Sequence, residues 1–152
     1  MKRFDFVTAP TEPHTDAPEG FAAETGHLDE AIGAEHLRGQ VIEVAVGGKA
    51  YPYHWEAGKE EWLLVVSGTP AIRTPEGEQE LRRGDIVCFP AGPAGAHQVL
   101  NRSDRVARVV IFSDATTPNV VVYPDSGKVG VRAKDARFNF LASEAVPYWT
   151  GE

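Results

Sequence analysis

The sequence predicts an all-β fold, a sandwich or a barrel, with only short helical turns beside it. Three observations carry this. From Gly39 onward, short runs rich in β-branched and aromatic residues follow one another. Turn signals separate them at even spacing: Gly47-Gly48, Ala57-Gly58, Ser67-Gly68, Pro75-Glu76-Gly77, Arg83-Gly84 and Asn101 to Asp104. No alternation of strand and helix patterns appears, which argues against a parallel α/β sheet.

Taken in order, residues 1–38 read as an N-terminal arm that packs on the barrel. They are rich in Pro, Thr, Ala, Gly and acidic residues, with one short strand expected around Phe4 to Val7. LDEAIGAEHL, residues 28–37, can make one or two helical turns; Gly33 and Gly39 argue against more. Residues 39–115 form the expected barrel core, from the strands QVIEVAVG, KAYPYHWE, EEWLLVVSG, PAIRTP, GEQELRRG, DIVCFP, AHQVLN and RVARVVIFS. Residues 116–152 add NVVVYP, KVGVRA and a tail that closes the barrel or a dimer interface. That tail carries Phe138, Phe140, Leu141, Tyr148 and Trp149, too many large apolar groups to stand singly in water.

Bulk properties narrow the partners. At 152 residues, with 42% hydrophobic and 24% charged residues, the chain fits one domain with one core. Fifteen basic against 22 acidic residues leave a formal charge of −7, which repels nucleic-acid backbones and anionic lipid. The lone cysteine, Cys88, has no disulfide partner and is expected to be buried and structural. The first residues hold no apolar signal segment, and no apolar run reaches membrane-spanning length. The expectation is a cytoplasmic protein.

Chemistry concentrates in three strands. If YPYHWE is extended, Pro52, His54 and Glu56 share one face, and Tyr51, Tyr53 and Trp55 the other. In EEWLLVV, Glu61 turns inward with Leu63 and Val65. In AHQVLN, His97, Val99 and Asn101 share a face. Two imidazoles and two carboxylates then meet in one interior. Buried carboxylates are costly unless paired, and neighbouring ones repel. A divalent cation removes both problems, and imidazole and carboxylate are ordinary ligands for one. His54, Glu56, Glu61 and His97 are therefore the candidate metal ligands, with Glu56 and Glu61 also candidate acid/base groups. The alternative is an interior in which these groups bond to each other and to water.

The spacing Gly48-x5-His54-x-Glu56-x4-Glu61-x6-Gly68 resembles the first motif of the cupin superfamily. Gly84-x5-Pro90-x-Gly92-x4-His97-x3-Asn101 resembles the second. The resemblance covers about residues 39–115 and implies a double-stranded β-helix, or jelly-roll, barrel. It differs in two places: Glu56 stands where the family commonly has a second histidine, and two extra residues precede His97. The family's usual three-His, one-Glu set becomes two-His, two-Glu. What the resemblance implies is one divalent transition metal (Mn, Fe, Ni, Co, Cu or Zn), a small-molecule ligand or substrate, and a homodimer. It also implies an enzyme of oxygenase, isomerase or decarboxylase type, or else a non-catalytic small-molecule-binding barrel, with or without metal. The same fold hosts many reactions.

Overall fold

Alternating apolar residues turn most of these runs into strands. The computed structural model describes residues 1–152. Its strands are β1 (Glu12–Pro13), β2 (Ala23–His27), β3 (Leu37–Val44), β4 (Trp55–Glu56), β5 (Glu61–Ser67), β6 (Ala71–Thr74) and β7 (Gly77–Glu80). They continue as β8 (Ile86–Phe89), β9 (Gln98–Leu100), β10 (Ala107–Asp114), β11 (Asn119–Tyr123), β12 (Lys128–Arg132) and β13 (Arg137–Leu141). The helical turn expected at 28–37 is α1 (Leu28–Ile32), ended by Gly33 at φ 73°, a left-handed conformation that glycine adopts without strain.

One sheet runs β1-β2-β3-β10-β5-β8. Two smaller ones run β13-β12-β11-β4 and β7-β6-β9. Every pairing between strands is antiparallel. Residues 49–56 stitch the small sheets together. Lys49 bridges Leu100, His54 bridges His97, and β4 pairs with β11 through Val121 and Glu56. The result is the jelly roll that the sequence resemblance implied. Its core joins Ile42, Val44, Leu63, Val65, Val109 and Ile111 of the large sheet to Ile72 and Val99 of the three-stranded one. Leu63, Val65, Val99 and Val109 are at most 1% exposed, so apolar burial anchors β5, which carries Glu61, and β9, which follows His97.

Two expectations need correction. Phe4 to Val7 form no strand; the first pairing is Glu12–Pro13 with β2. The arm is instead held by the side chain of Arg108, which donates to Phe6 O and Ala9 O and pairs with Glu43 at 2.7 Å. Cys88 is exposed. Its strand is a sheet edge, where alternation sends Phe89 inward and Ile86 and Cys88 outward, beside exposed Trp62. In the single chain the tail aromatics are exposed: Phe138, Phe140, Tyr148 and Trp149 are 50%, 52%, 85% and 74% exposed. No helix is long and apolar enough to cross a membrane.

Candidate metal centre

β5 follows the predicted alternation. Leu63 and Val65 are buried and Trp62 is exposed, so Glu61 enters the barrel at the head of the strand. His97 sits just before β9, and its backbone exchanges both hydrogen bonds with His54, at 2.8 and 3.1 Å. That exchange brings the two imidazoles together across the stitch, with ring centres 4.9 Å apart and planes tilted by 46°.

Backbone carbonyls orient both rings. His97 Nδ1 donates to Gly95 O at 2.9 Å, and His54 Nδ1 donates to Pro52 O at 3.0 Å. A carbonyl only accepts, so each Nδ1 carries the proton and each Nε2 presents a lone pair. Both Nε2 atoms face Glu61 Oε2, at 3.4 Å from His97 and 3.8 Å from His54. Phe89, opposite Glu61 in the β5–β8 pairing, stacks flat on His97 with centres 3.7 Å apart. His97 is 1% exposed and its Nε2 is buried with no hydrogen-bond partner.

Burial sets the electrostatics. It raises the Glu61 pKa to about 8, with the Glu56 charge adding to the effect. It lowers His97 to about 3, with His54 adding to the effect, and it lowers His54 as well. Without a cation, the carboxyl favours its neutral form. A carboxyl proton shared with either imidazole needs an O···N distance near ~2.7–3.0 Å, and both observed distances are longer. Donors that each lie ~2.0–2.2 Å from one ion stand about 3–4 Å apart. The donor atoms of His54, Glu61 and His97 all lie within 4.8 Å of one another, a spacing that fits an ion better than direct hydrogen bonds.

Of the four predicted ligands, these three come together. Glu56 stands outside the set, although it lines the same cavity and its charge is felt at Glu61. Its Oε2 is buried without a partner, and burial raises its pKa against the opposing pull of Lys59. The cavity is about 810 Å³ and is lined also by Tyr51, Lys59, Ile111 and Arg132.

Tyr51 was placed on the opposite face from His54 by the sequence, and here the structure differs. Ala50 pairs with Val99, but His54 pairs with His97, so residues 51–53 bulge out opposite Gln98 alone. The bulge resets the alternation and brings Tyr51 edge-on to both His54 and His97, with centres at 5.1 and 5.7 Å. Gln98 braces it by donating to Tyr51 O at 2.7 Å. Tyr53 instead lies under Arg73, whose guanidinium carbon is 4.0 Å from the ring centre. Arg73 is committed there and to Asp125, away from the cavity.

The two extra residues before His97 also have a structural account. They let the chain make a 3-10 turn over Pro93–Gly95, and Gly95 O is the acceptor that orients His97. A Cβ on Gly95 would lie 1.8 Å from Pro90 O, so no other residue fits without moving the loop. Gly95→Ala is expected to weaken metal binding by about tenfold or more, the scale found when a group that orients a ligand is lost. Calorimetric titration with Zn²⁺ checks this; an unchanged affinity would show that Gly95 does not position His97.

A jelly-roll barrel with two imidazoles and a carboxylate converging inside it defines a class of barrel proteins with an interior ligand site. Residues 40–113 match the Cupin_2 family model (Cupin domain), so the chain carries a cupin domain. Solved structures agree on the fold. A sugar phosphate isomerase of the cupin superfamily from Silicibacter pomeroyi is 19% identical, covers 95% of this chain and 96% of its own, and superposes with a TM-score of 0.83. A candidate sugar phosphate isomerase from Acidithiobacillus ferrooxidans is 23% identical over 84% of this chain and 81% of its own, with a TM-score of 0.77. The polyketide cyclase RemF from Streptomyces resistomycificus is 20% identical over 78% and 83%, with a TM-score of 0.64. No curated protein matches the chain significantly.

Proposed function

We propose that this protein is a metal-dependent enzyme that moves a proton on a small anionic organic molecule, in an isomerisation or decarboxylation. The observation that carries the reading is the spacing of His54, Glu61 and His97: two lone pairs and a carboxylate too far apart to bond each other, close enough to share one ion. A divalent cation held by these three residues would act as a Lewis acid toward a substrate oxygen. The remaining work falls to the chain itself. Glu56, with a buried, unpartnered Oε2 and a raised pKa, holds and returns the proton as general acid and base. Should Glu56 shift inward on metal uptake, it would complete a two-His, two-Glu set, the arrangement its motif position suggests.

Lys59 and Arg132 support the anionic class of substrate. Both line the cavity and neither forms an ion pair. Arg132 is fixed by Tyr123 Oη at 3.0 Å, Asn139 Oδ1 at 3.1 Å and Phe138 O at 3.0 Å, all neutral acceptors, so its charge is left for a ligand. Two structural relatives named as sugar phosphate isomerases are consistent with such a substrate.

The test is exchange of substrate C–H for deuterium in D₂O, followed by NMR. The metal-loaded protein is offered aldose and ketose phosphates and 2-oxo and 3-oxo acids. Turnover or exchange on one of them, lowered about 10²–10⁴-fold by Glu56→Gln with metal content retained, is the expected result. Exchange that survives Glu56→Gln unchanged would remove Glu56 from the mechanism; none on any compound would favour a ligand-binding barrel. We further propose a homodimer, because β13 is a sheet edge beside the exposed tail aromatics. Sedimentation equilibrium showing only monomer would refute that contact.

A further inference from the structure

We propose that the Tyr51 hydroxyl is the hydrogen-bond donor to the oxygen of a bound anionic ligand that sits against His54, Glu61 and His97. The inference deepens the metal-site reading and rests on it. Three observations point to the role. The Tyr51 Oη is buried and has no hydrogen-bond partner anywhere in the protein. A buried hydroxyl without a partner is rare in native structures, so its partner belongs to something not made by the chain. The ring lines the cavity and meets both candidate histidine ligands edge-on. Last, the chain departs from regular pairing to put it there. Regular alternation turns Tyr51 away from His54, and the bulge at 51–53, braced by Gln98, turns it in.

The chemistry of the donor defines the ligand. A phenol O–H beside a cation and a carboxylate selects an acceptor that is itself attracted to the cation: a carboxylate, enolate or hydroxamate oxygen. A nitrogen ligand such as imidazole offers the metal a lone pair but has no oxygen to accept the bond. Tyr51 is thus a ligand-positioning residue that discriminates oxygen ligands from nitrogen ligands. The discrimination is a property of the hydroxyl alone, since phenylalanine keeps the ring contacts to His54 and His97.

The experiment compares wild type with Tyr51→Phe, both loaded with Co²⁺ and followed by visible absorption. Each is titrated with acetohydroxamate and, separately, with imidazole. The expected result is equal Co²⁺ uptake by both proteins, acetohydroxamate bound about tenfold more weakly by Tyr51→Phe, and imidazole bound equally. The apo variant should melt at or above the wild-type temperature, because the hydroxyl it lacks bonds to nothing in the protein. Equal acetohydroxamate affinity, or equal weakening for both ligands, overturns the role of Tyr51 while leaving the metal site standing. A lower melting temperature of apo Tyr51→Phe shows that the hydroxyl is structural and overturns it too. Failure of wild type to take up Co²⁺ overturns the metal reading, and this inference with it.

Discussion

Replacing His54 and His97 together by alanine is expected to abolish stoichiometric metal binding. Wild-type protein purified without chelator should hold near one equivalent of a transition metal, or take it up on titration with Mn, Fe, Co, Ni, Cu or Zn. The double variant should hold none. The reason lies in the donor set: among the three groups that share a site, removing two leaves one carboxylate, which burial prefers to keep protonated. The single variants should differ. His97 is fixed on two sides, by Gly95 O and by the Phe89 ring, and is almost fully buried; His54 lies nearer the cavity, with its side chain 14% exposed. His97→Ala should therefore cost more affinity than His54→Ala, each at least about 100-fold. Loss of the His97 ring also removes packing from Phe89, so that variant should lose about 2 kcal/mol of apo stability as well. His14→Ala is the control, since His14 is exposed and its ring bonds only Thr25. Elemental analysis decides: one equivalent retained in the double variant would refute the site.

Legibility in the sequence differs from residue to residue. Glu61 was legible because Leu63 and Val65 follow it at the period of a strand, and burying them fixes which way Glu61 points. His97 and Val99 were legible for the same reason, and the spacing of the glycines around His54 and His97 pointed to the barrel. Tyr51 was not. Its inward turn depends on Ala50 pairing with Val99 while His54 pairs with His97, and that mismatch in register is a property of two strands at once. No window around Tyr51 contains it. Pro52, which cannot donate to a ladder, was the one local signal of irregular pairing there. Cys88 failed for a related reason. DIVCFP looks like an interior strand because it is apolar, but only the sheet order shows it to be an edge, where one face meets solvent. Asn101 was legible as a turn residue, but its reach was not. Its Nδ2 donates to Val44 O at 2.9 Å and Arg105 O at 2.6 Å, while its Oδ1 accepts from Ser103. One side chain thus ties the turn after β9 to the end of β3, holding the strand that follows His97.

The same buried groups give the metal-free protein an unusual dependence on pH. Folding raises the Glu61 pKa from 4.5 to about 8, so the folded state prefers the proton. Stability from that preference is fully present below the unfolded pKa and drains away as pH rises from 4.5 through 8. His97 works in the opposite sense. Its pKa falls from 6.5 to about 3 on folding, so its share is present above 6.5 and is lost as pH falls toward 3. Between pH 4.5 and 6.5 the two slopes oppose and largely cancel, so the apo protein should be most stable on that plateau and lose stability on either side of it. Between pH 6 and 8.5 the Glu61 share alone amounts to about 3 kcal/mol, at ~1.4 kcal/mol per unit of unmatched pKa. For a chain of this size that is a fall in Tm of about 6–12 °C. A bound divalent cation wants an ionised Glu61 and neutral imidazoles, so it removes both penalties and makes Tm nearly flat over the same range. The gap between loaded and chelator-treated protein should then widen with pH, and thermal melts by circular dichroism at half-unit steps would record it. A Tm of the apo protein that stays level or climbs from pH 6 to 8.5 would mean that Glu61 ionises freely. In that case the carboxylate already has a partner other than a metal, and the case for an ion between His54 and His97 would lose its electrostatic ground.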